Sequence, residues 1–481
     1  MRSRASPFFF ALSLANAKVS HYLCASSMLI PTVMSESISR REFLQRGTAA
    51  AIGLTLAPSA VLAGHHAPAL RIAPSSHHSS AVQPSDQLNV ALVGCRSMGW
   101  YDLEDIMRHP GVNCVGLCDI DRGILESRAA EAEKKWGRRP DLYGDYRRLL
   151  ERSDLDVVII GTPDHWHCLI TTDACSAGKD VYVEKPAANS IAECDAMVAA
   201  AQRYSRVVQV GQQQRSSLLW QQMKQYIDSG RLGTIARVNV WANFSYAAIL
   251  NPAKDGPVPE GVDFQTWLGP APDRSFNASR FHGSWRMFWD YGGGLLTDWG
   301  VHLLDMALWG MDVKGMPRRV MASGANNAYP NNFAETFDTL QVIYEFDRFN
   351  IQWSNVAIES GPYGKNYGLE FKGTNGTLVV NREGMELLPQ GDRLEAQTWK
   401  PTNNEHFDHT TDFLDCVRER RFDTACPITN GSLCAKYAHM GNIAARTRQT
   451  LTYDDVRHTF HNRQADRLIA PTYRKPWKFP K

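Results

Sequence analysis

The sequence predicts an α/β fold with two domains: a parallel sheet covered by helices on both faces, then a large, mostly antiparallel open sheet. Two observations support this prediction. Between residues 88 and 211, short runs that are apolar on both faces alternate with stretches of helical spacing, the pattern of a buried parallel sheet. After residue 211, apolar residues alternate singly, as in strands with one buried face.

The amino terminus has the features of an export signal. Residues Ser39–Leu44 read Ser-Arg-Arg-Glu-Phe-Leu, a twin-arginine motif, and an apolar stretch follows over Ala49–Leu62. Val61-Leu62-Ala63 fits the small-residue cleavage pattern, so the mature chain is predicted to begin at Gly64. We therefore expect export through the twin-arginine route to the periplasm.

Residues 1–63 are accordingly set apart as a signal region. Nothing before Met34 contributes to such a signal, so residues 1–33 are interpreted as a mis-assigned extension ahead of a true start at Met34, and residues 34–63 as the signal itself. The next segment, residues 64–87, is rich in Ser, Pro, Ala and His without an apolar period. This composition predicts a flexible linker.

Composition excludes several classes of function. The formal net charge is +2 over 481 residues, and no arginine-rich stripe with interleaved aromatics occurs, so no nucleic-acid partner is predicted. The apolar stretch of the signal is too short for a good membrane span, and none is predicted in the mature chain. Of ten cysteines, Cys24 lies in the signal region, and the odd remainder does not form a disulfide framework.

Residues 88–211 are predicted to form the first domain. The apolar run Asn89–Val93 is followed by a glycine turn and then by helical spacing. Further short apolar runs are Val112–Cys118, Val157–Ile160, Val181–Val183 and Val207–Val210. Strands and helices that alternate in this way predict the doubly wound, or Rossmann, fold that binds a dinucleotide.

Residues 212–481 are predicted to form the second α/β domain. Its strand-like segments are Ile235–Phe244, Leu340–Trp353, Tyr367–Phe371 and Thr377–Val380. Two helical segments, His406–Arg420 and Ser432–Arg446, follow them. An open sheet of this size needs a cover for its second face, which favours a homo-oligomer.

The first turn, Gly94-Cys95-Arg96-Ser97-Met98-Gly99, keeps the outer glycines of a dinucleotide-binding fingerprint. Arg96 replaces the middle glycine, so it either prevents the closest approach of the pyrophosphate or supplies a cation to it. Asp119 ends the next strand, where a carboxylate hydrogen-bonds ribose hydroxyls and repels a 2′-phosphate. We therefore expect NAD rather than NADP, the alternative being an ordinary Asp at a strand end.

Two later turns lie at the carboxyl ends of strands, where such sheets bind ligands. One contains Thr162, Pro163 and His167, and the other reads Glu184-Lys185-Pro186. A lysine at this rim can donate to a substrate hydroxyl or to the cofactor ribose. The alternative is a surface lysine paired with Glu184.

A third group of residues lies on the segment Leu295–Trp309, which predicts a buried helix with Gly310 as its C-cap. Asp298, His302, Asp305 and Trp309 share one stripe of this helix. The His302 imidazole can take a hydroxyl proton while hydride leaves the same carbon, and Asp298 can orient the ring. A structural Asp–His pair is the alternative, and no metal site is predicted because only two good ligands are visible.

The order of these motifs resembles that of the Gfo/Idh/MocA oxidoreductases. The motifs are the glycine turn, Asp119, the turn ending in His167, Glu184-Lys185-Pro186, and the Gly292-Gly293-Gly294 run with its helix. The resemblance spans about residues 88–305, with a compatible remainder. It implies catalytic roles for Lys185, Asp298 and His302. It also implies a homo-oligomer formed through the open sheet.

The resemblance assigns two further sets of residues. The set implied to bind the cofactor is Gly94, Arg96, Ser97, Met98, Gly99, Asp119, Thr162, Pro163, His167, Glu184 and Lys185, with Pro163 and His167 along the nicotinamide half. The set implied to line the substrate pocket is Gln213, Arg215, Trp285 and Arg286, together with Lys185, Asp298 and His302.

The function expected is dehydrogenation or reduction at a hydroxyl or keto group of a sugar or cyclic polyol. One alternative is a glycoside-cleaving enzyme that oxidises its sugar transiently and recycles a tightly bound NAD. Another is a non-catalytic ligand-binding protein on the same scaffold, against which the intact Lys185, Asp298 and His302 argue.

Export provides the first testable prediction. Replacing both Arg40 and Arg41 with Lys removes the twin-arginine signal and should leave the precursor in the cytosol. The measurement is the amount of mature protein in periplasmic and cytosolic fractions. An unchanged periplasmic yield would contradict the prediction.

Overall fold

A computed structural model describes residues 86–480 of the chain. The predicted signal region and nearly all of the predicted linker therefore lie outside the described residues. Within residues 86–480, no helix is long and apolar enough to cross a membrane. The nine cysteines of this part of the chain are all buried and free.

The first sheet has six parallel strands in the order β3-β2-β1-β4-β5-β6. Its strands are β1 (Leu88–Val93), β2 (Val112–Cys118), β3 (Asp141–Tyr143), β4 (Val157–Ile160), β5 (Asp180–Val183) and β6 (Val208–Val210). The order reverses between β1 and β4, which opens a crevice at the carboxyl ends of these two strands. This arrangement confirms the predicted Rossmann domain, although the short edge strand β3 was not predicted.

Helices connect these strands. They are α1 (Ser97–Ile106), α2 (Arg122–Trp136), α3 (Tyr146–Leu150), α4 (Asp164–Ser176) and α5 (Ile191–Arg203). Side chains cap several of them: the Asp121 carboxylate accepts from the first backbone amides of α2, and the Ser190 hydroxyl accepts from the Glu193 amide at the start of α5. The glycine turn leads into α1 without a side-chain cap.

The second sheet has eight strands in the order β14-β13-β12-β11-β7-β10-β9-β8. They are β7 (Ile235–Ala242), β8 (Arg319–Ala325), β9 (Thr339–Glu345), β10 (Asn350–Val356), β11 (Tyr367–Gly373), β12 (Gly376–Asn381), β13 (Gly384–Pro389) and β14 (Gln397–Trp399). Only β7 and β10 pair in parallel, so the mostly antiparallel sheet is confirmed.

The alternating run Leu340–Trp353 is two strands rather than one. A turn around Asp347 and Arg348 joins β9 to β10, which pair antiparallel. The alternation continues on both sides of the turn because each strand buries one face and leaves the other partly exposed.

The remaining helices are α6 (Leu218–Asp228), α7 (Phe264–Leu268), α8 (Leu295–Asp298), α9 (Gly300–Gly310), α10 (Glu405–Glu419), α11 (Ile428–Thr447) and α12 (Arg463–Asp466). The predicted helix Leu295–Trp309 is interrupted at Trp299. Gly310 is not its C-cap, because α9 includes Gly310 and is capped by Met311. A Cβ at Gly310 would lie 2.7 Å from the Phe371 ring, so close packing explains this glycine.

Helix α10 returns from the second domain to the first. Its residues Phe413, Leu414 and Val417 belong to the same buried cluster as Leu92 and Leu103 of the first domain. The His406 ring near the start of α10 joins Asp102 and Asp105 of α1, with Nε2–Oδ1 and Nδ1–Oδ2 distances of 3.0 and 2.9 Å. The first domain is therefore completed by residues from the carboxyl-terminal part of the chain.

The His406 contact gives a prediction about stability. Burial alone would lower the pKa of His406, but hydrogen bonds to Asp102 and Asp105 outweigh it and raise that pKa to about 10. Because the folded-state value exceeds the ordinary value of 6.5, the stabilisation is complete below that value and is lost as pH rises towards 10. His406→Gln should therefore lower the free energy of unfolding by about 3 kcal/mol at pH 6.

The measurement is denaturant unfolding of wild type and variant from pH 6 to pH 10. The difference between the two should shrink steadily with rising pH. His439→Gln is the control, because burial lowers the pKa of His439 to about 4 and its ring stays neutral over this range. A difference for His406→Gln that does not change with pH would contradict the prediction.

Candidate active site

The glycine turn forms the floor of a cleft at the carboxyl ends of the first sheet. Gly94 has a φ of +89°, and a Cβ there would lie 2.8 Å from the Gly161 carbonyl. A Cβ on Gly99 would lie 2.2 Å from the Gly94 carbonyl oxygen. Only glycine fits these two places, so the turn packs directly against the end of β4 and the start of α1 faces the cleft.

The residues between these glycines, Arg96, Ser97 and Met98, also line the cleft. Arg96 has an extended backbone, and its guanidinium lies 3.6 Å from the Asp121 carboxylate. Its side chain is 44% exposed, so the cation lies at the mouth of the cleft rather than in the turn.

Asp119 follows β2 and faces the same cleft, as predicted from its position at a strand end. Its Oδ2 accepts a 2.7 Å hydrogen bond from the Cys95 amide, and its Oδ1 accepts a 3.0 Å hydrogen bond from the Asp121 amide. Burial raises the pKa of Asp119. The two amides fix the carboxylate in place and leave it lone pairs for further donors.

The two predicted rim turns meet on the opposite side of the cleft. Thr162, Pro163, Glu184 and Lys185 all line it. Burial and the charge of Asp102 raise the pKa of Glu184 to about 8.

His167, which the resemblance places along the nicotinamide half, is not among the residues that line the cleft or the pocket beside it. Its Nδ1 lies 2.8 Å from the Pro186 carbonyl oxygen and its Nε2 lies 2.9 Å from the Thr162 carbonyl oxygen. Burial lowers the pKa of His167 to about 4. The ring therefore links the backbones of the two rim turns and is not free to act as a base.

A second pocket adjoins the cleft and shares Met98, Glu184, Lys185 and Arg286 with it. The other side chains on its wall are Gln213, Tyr246, Ser284, Met287, Asp298, Trp299, His302 and Arg382. The first sheet contributes the Glu184-Lys185 turn, and α8 and α9 contribute Asp298 and His302. This junction brings the three predicted catalytic residues to one pocket.

Asp298 is the most strongly bound group of this pocket. Its Oδ1 accepts from Lys185 Nζ at 2.7 Å and from Arg286 Nε at 3.2 Å, and its Oδ2 accepts from the Tyr246 hydroxyl at 2.7 Å. Burial alone would raise the pKa of Asp298, but the charges of Lys185 and Arg286 and these hydrogen bonds hold it well below its usual range. Asp298 is therefore ionised and fixes the Lys185 ammonium.

His302 is not held by Asp298, contrary to the sequence prediction. Its buried Nδ1 has no hydrogen-bond partner within residues 86–480. The Asp298 carboxylate bonds Lys185, Arg286 and Tyr246 instead. Burial and the nearby charges of Arg382 and Lys185 lower the pKa of His302 far below its usual value, so the imidazole is neutral.

The structure also corrects one predicted pocket residue, because Arg215 does not line the pocket. Its Nε and Nη2 bind the Asp305 carboxylate at 2.8 and 2.7 Å, and its guanidinium lies over the Trp309 ring. A buried carboxylate on α9 requires such a partner, which explains both residues. Gln213 lines the pocket, and Trp285 lines the cofactor cleft, where the Arg286 guanidinium lies 4.3 Å from the centre of its ring.

Several pocket residues had no sequence signal, Tyr246 and Arg382 among them. Tyr246 lies in a short 3₁₀ helix (Ser245–Ala247) after β7, and Arg382 lies in the turn between β12 and β13. Neither position belongs to a motif, and each reaches the pocket only through the packing of the second sheet. The only hint was composition, since Tyr and Arg are frequent in ligand sites.

A group of residues of the types that bind metal ions lies away from the pocket, at the surface. Asp195, Asp455 and His458 bring one ligand atom each to within 4.8 Å of one another. The Lys436 ammonium binds both carboxylates of this group, however. The lysine ammonium supplies the positive charge that these two carboxylates need, so they do not require a metal ion.

The cleft and the pocket together suit a dinucleotide and a small polar ligand. Gly94 and Gly99 let the turn pack so that the start of α1 faces the cleft, where its backbone amides can bind a pyrophosphate, and Asp119 provides an acceptor for ribose hydroxyls. The Glu184-Lys185 turn connects the cleft to the pocket of Asp298 and His302. The residues present therefore fit a nicotinamide dinucleotide.

Comparison with known proteins agrees with this geometry. The family model described as "Oxidoreductase family, NAD-binding Rossmann fold" of the Gfo/Idh/MocA proteins matches residues 88–212. The companion model, "Oxidoreductase family, C-terminal alpha/beta domain", matches residues 218–479.

Curated relatives match a shorter part of the chain. A glycosyl hydrolase family 109 protein of Shewanella sp. (strain W3-18-1) is 32% identical over 174 residues, which are 35% of this chain and 38% of that protein. A protein of Shewanella oneidensis named alpha-N-acetylgalactosaminidase is 30% identical over 174 residues, again 35% of this chain and 38% of that protein. The chain thus matches well under half the length of these relatives.

Solved structures show a similar fold at lower identity. An aldose-aldose oxidoreductase from Caulobacter crescentus in complex with glycerol is 18% identical with a TM-score of 0.57, over 76% of this chain and 99% of that one. A levoglucosan dehydrogenase in complex with NADH is 20% identical with a TM-score of 0.57, over 76% of this chain and 98% of that one.

Proposed function

Because the chain belongs to the Gfo/Idh/MocA oxidoreductase family, we propose that it is a NAD-dependent oxidoreductase acting on a hydroxyl or keto group of a sugar or cyclic polyol. The observation that carries this proposal is the Lys185–Asp298 pair beside the neutral His302, in a pocket that opens onto the cofactor cleft. Sugar oxidoreductases among the similar structures support the choice of substrate class.

The chemistry assigned to these residues follows from their contacts. When bound, the nicotinamide ring supplies the hydride acceptor or donor. Lys185, fixed by Asp298, holds the reacting oxygen of the substrate and stabilises the charge that develops on it. The neutral His302 takes the hydroxyl proton during oxidation, or returns it during reduction.

The electrostatics set a condition on this role of His302. Its protonation is opposed by burial and by the Arg382 and Lys185 charges. Any negative charge that the substrate brings to the pocket offsets those cations and makes the imidazole a better base.

A second candidate function is cleavage of a glycosidic bond through transient oxidation by a retained NAD. The names of the Shewanella relatives favour it. The two candidates differ in net redox change: a dehydrogenase accumulates reduced cofactor in proportion to product, whereas glycoside cleavage with internal hydride return accumulates product alone. A non-catalytic binding protein gives neither.

Export to the periplasm and homo-oligomer formation complete the proposal. Export rests on the twin-arginine motif Ser39–Leu44. Oligomer formation rests on the second sheet, whose strands β9 and β10 leave one face partly exposed. A retained cofactor suits an exported enzyme, which has no cytosolic NAD pool to draw on.

The catalytic assignment predicts the behaviour of two variants. Lys185→Ala and His302→Ala should each lower kcat by ~10²-fold or more, because each removes a group that acts on the reacting oxygen or its proton. Both variants should still fold and retain cofactor. Combining them should cost much less than the product of the single effects, because the two groups act on one event.

The measurement is steady-state product formation and net cofactor reduction with a panel of sugars and polyols, alongside cofactor released from the folded protein. Lys400→Ala, an exposed position outside the pocket, is the control for protein handling. Near wild-type turnover by His302→Ala would place the base elsewhere. Product without net cofactor reduction would favour the glycoside-cleaving alternative.

The choice of NAD over NADP predicts the behaviour of Asp119. Asp119→Ser removes the carboxylate that accepts ribose hydroxyls, so NAD should bind more weakly and the preference should shift towards NADP. The measurement is the ratio of the two dissociation constants, with Asp392→Ser as an exposed control. If the wild-type protein binds NADP more tightly than NAD, the assignment of Asp119 is wrong.

A further inference from the structure

The substrate pocket carries more positive than negative charge. Its cations are Lys185, Arg286 and Arg382, and its acids are Asp298 and Glu184. Burial and the charge of Asp102 raise the pKa of Glu184, whereas Asp298, despite its burial, has a pKa held well below its usual range by Lys185 and Arg286. Lys185 and Arg286 already bind the Asp298 carboxylate. The charge of Arg382 is therefore not required to neutralise Asp298.

Arg382 is held at the pocket in a defined orientation. It occupies the turn between β12 and β13, where Asn381 pairs with Gly384. Its Nε donates to the Gln214 side-chain oxygen at 3.1 Å, and its guanidinium lies 5.0 Å from the centre of the Trp299 ring. These two contacts fix the plane of the guanidinium beside the pocket.

One nitrogen atom of this guanidinium lacks a hydrogen-bond partner within the described residues. The Nη2 atom of Arg382 is buried and has no hydrogen-bond partner within residues 86–480. A buried charged donor without an acceptor is costly, and a ligand that supplies an acceptor removes that cost. A guanidinium with an unpaired nitrogen can donate a charge-assisted hydrogen bond to a carboxylate or a phosphate.

We propose that the substrate is an acidic sugar, with a carboxylate or phosphate group that binds the Arg382 guanidinium while the reacting hydroxyl lies at Lys185 and His302. This inference rests on the proposed function and adds to it the chemical class of the substrate. Trp299 and Tyr246 lie on the same wall of the pocket.

The arrangement also connects binding to the chemistry. Arg382 and Lys185 both oppose protonation of His302. An anionic group bound to Arg382 reduces the positive field at the His302 imidazole. A substrate with that group therefore raises the pKa of His302 and makes it a better base. A neutral sugar leaves the field unchanged and reacts more slowly.

The first test measures anion binding without any turnover. The mature protein, saturated with NAD so that its phosphate-binding turn is filled, is titrated with acetate and with inorganic phosphate in a calorimeter. At least one anion should bind, and Arg382→Gln should weaken that binding by about tenfold or more. Arg382→Lys keeps the charge but loses the planar guanidinium. Its anion affinity should lie between those of the wild type and Arg382→Gln.

Arg348→Gln is the matched control, because Arg348 is an exposed arginine in the turn of another hairpin of the same sheet. It removes the same charge and should leave anion binding unchanged. Equal anion affinity in wild type and Arg382→Gln would overturn the proposal, and so would the absence of binding by either anion to the wild type.

The second test uses turnover and separates the two anions. Glucose, galactose and mannose are each supplied as the neutral sugar, the uronate and the 6-phosphate. An acidic form should exceed its neutral parent in kcat/KM by about tenfold or more, and Arg382→Gln should remove this preference mainly through KM. The preferred form identifies carboxylate or phosphate. Neutral sugars turned over at least as efficiently as both acidic forms would overturn the proposal.

The two tests also separate this proposal from the proposed function. If no sugar is turned over while anion binding still depends on Arg382, the oxidoreductase assignment fails and the anion site stands. If neutral sugars are oxidised and anions do not bind, the oxidoreductase assignment stands and the acidic substrate is excluded.

Discussion

The ion pair between Lys185 and Asp298 is the contact on which the candidate site depends. Lys185 follows the last residue of β5 in the first sheet, and Asp298 ends α8 in the second domain, so the 2.7 Å contact joins the two halves of the pocket. Both side chains are nearly buried, with 10% and 12% exposed. Two opposite charges removed from water must remain together, and this requirement fixes the position of the rim relative to α8 and α9.

The remaining polar groups of the pocket are arranged around this pair. Arg286 and Tyr246 complete the donors to Asp298, which settles that carboxylate as an anion and the ammonium beside it as a fixed donor. His302 lies on the same wall but outside this network, with its Nδ1 unpartnered. The site thus contains a fixed charge pair and, apart from it, a neutral imidazole. Oxidation of a hydroxyl requires both, because the charge pair stabilises the developing charge on the oxygen and the imidazole takes the proton.

The sequence predicted features that depend on local spacing. The strand and turn pattern was sufficient for the Rossmann sheet and the cleft position of Asp119, whereas the grouping of Lys185 with Asp298 and His302 came from the family resemblance. The sequence prediction failed where tertiary packing decides. Arg215 binds Asp305 rather than lining the pocket, and Asp298 binds Lys185, Arg286 and Tyr246 rather than His302. Arg382 reaches the pocket from a hairpin turn, which no short-range pattern reveals.

The return of α10 to the first domain has a consequence for how the chain folds. Phe413, Leu414 and Val417 fill the core beside Leu92 and Leu103, so the Rossmann core is incomplete until the ribosome has made nearly the whole chain. The domains therefore cannot fold strictly one after the other during synthesis, as independent domains do. Such long-range contacts slow folding, and the nascent first domain exposes apolar surface that chaperones recognise. Cleft and pocket consequently form together, late, as one cooperative unit.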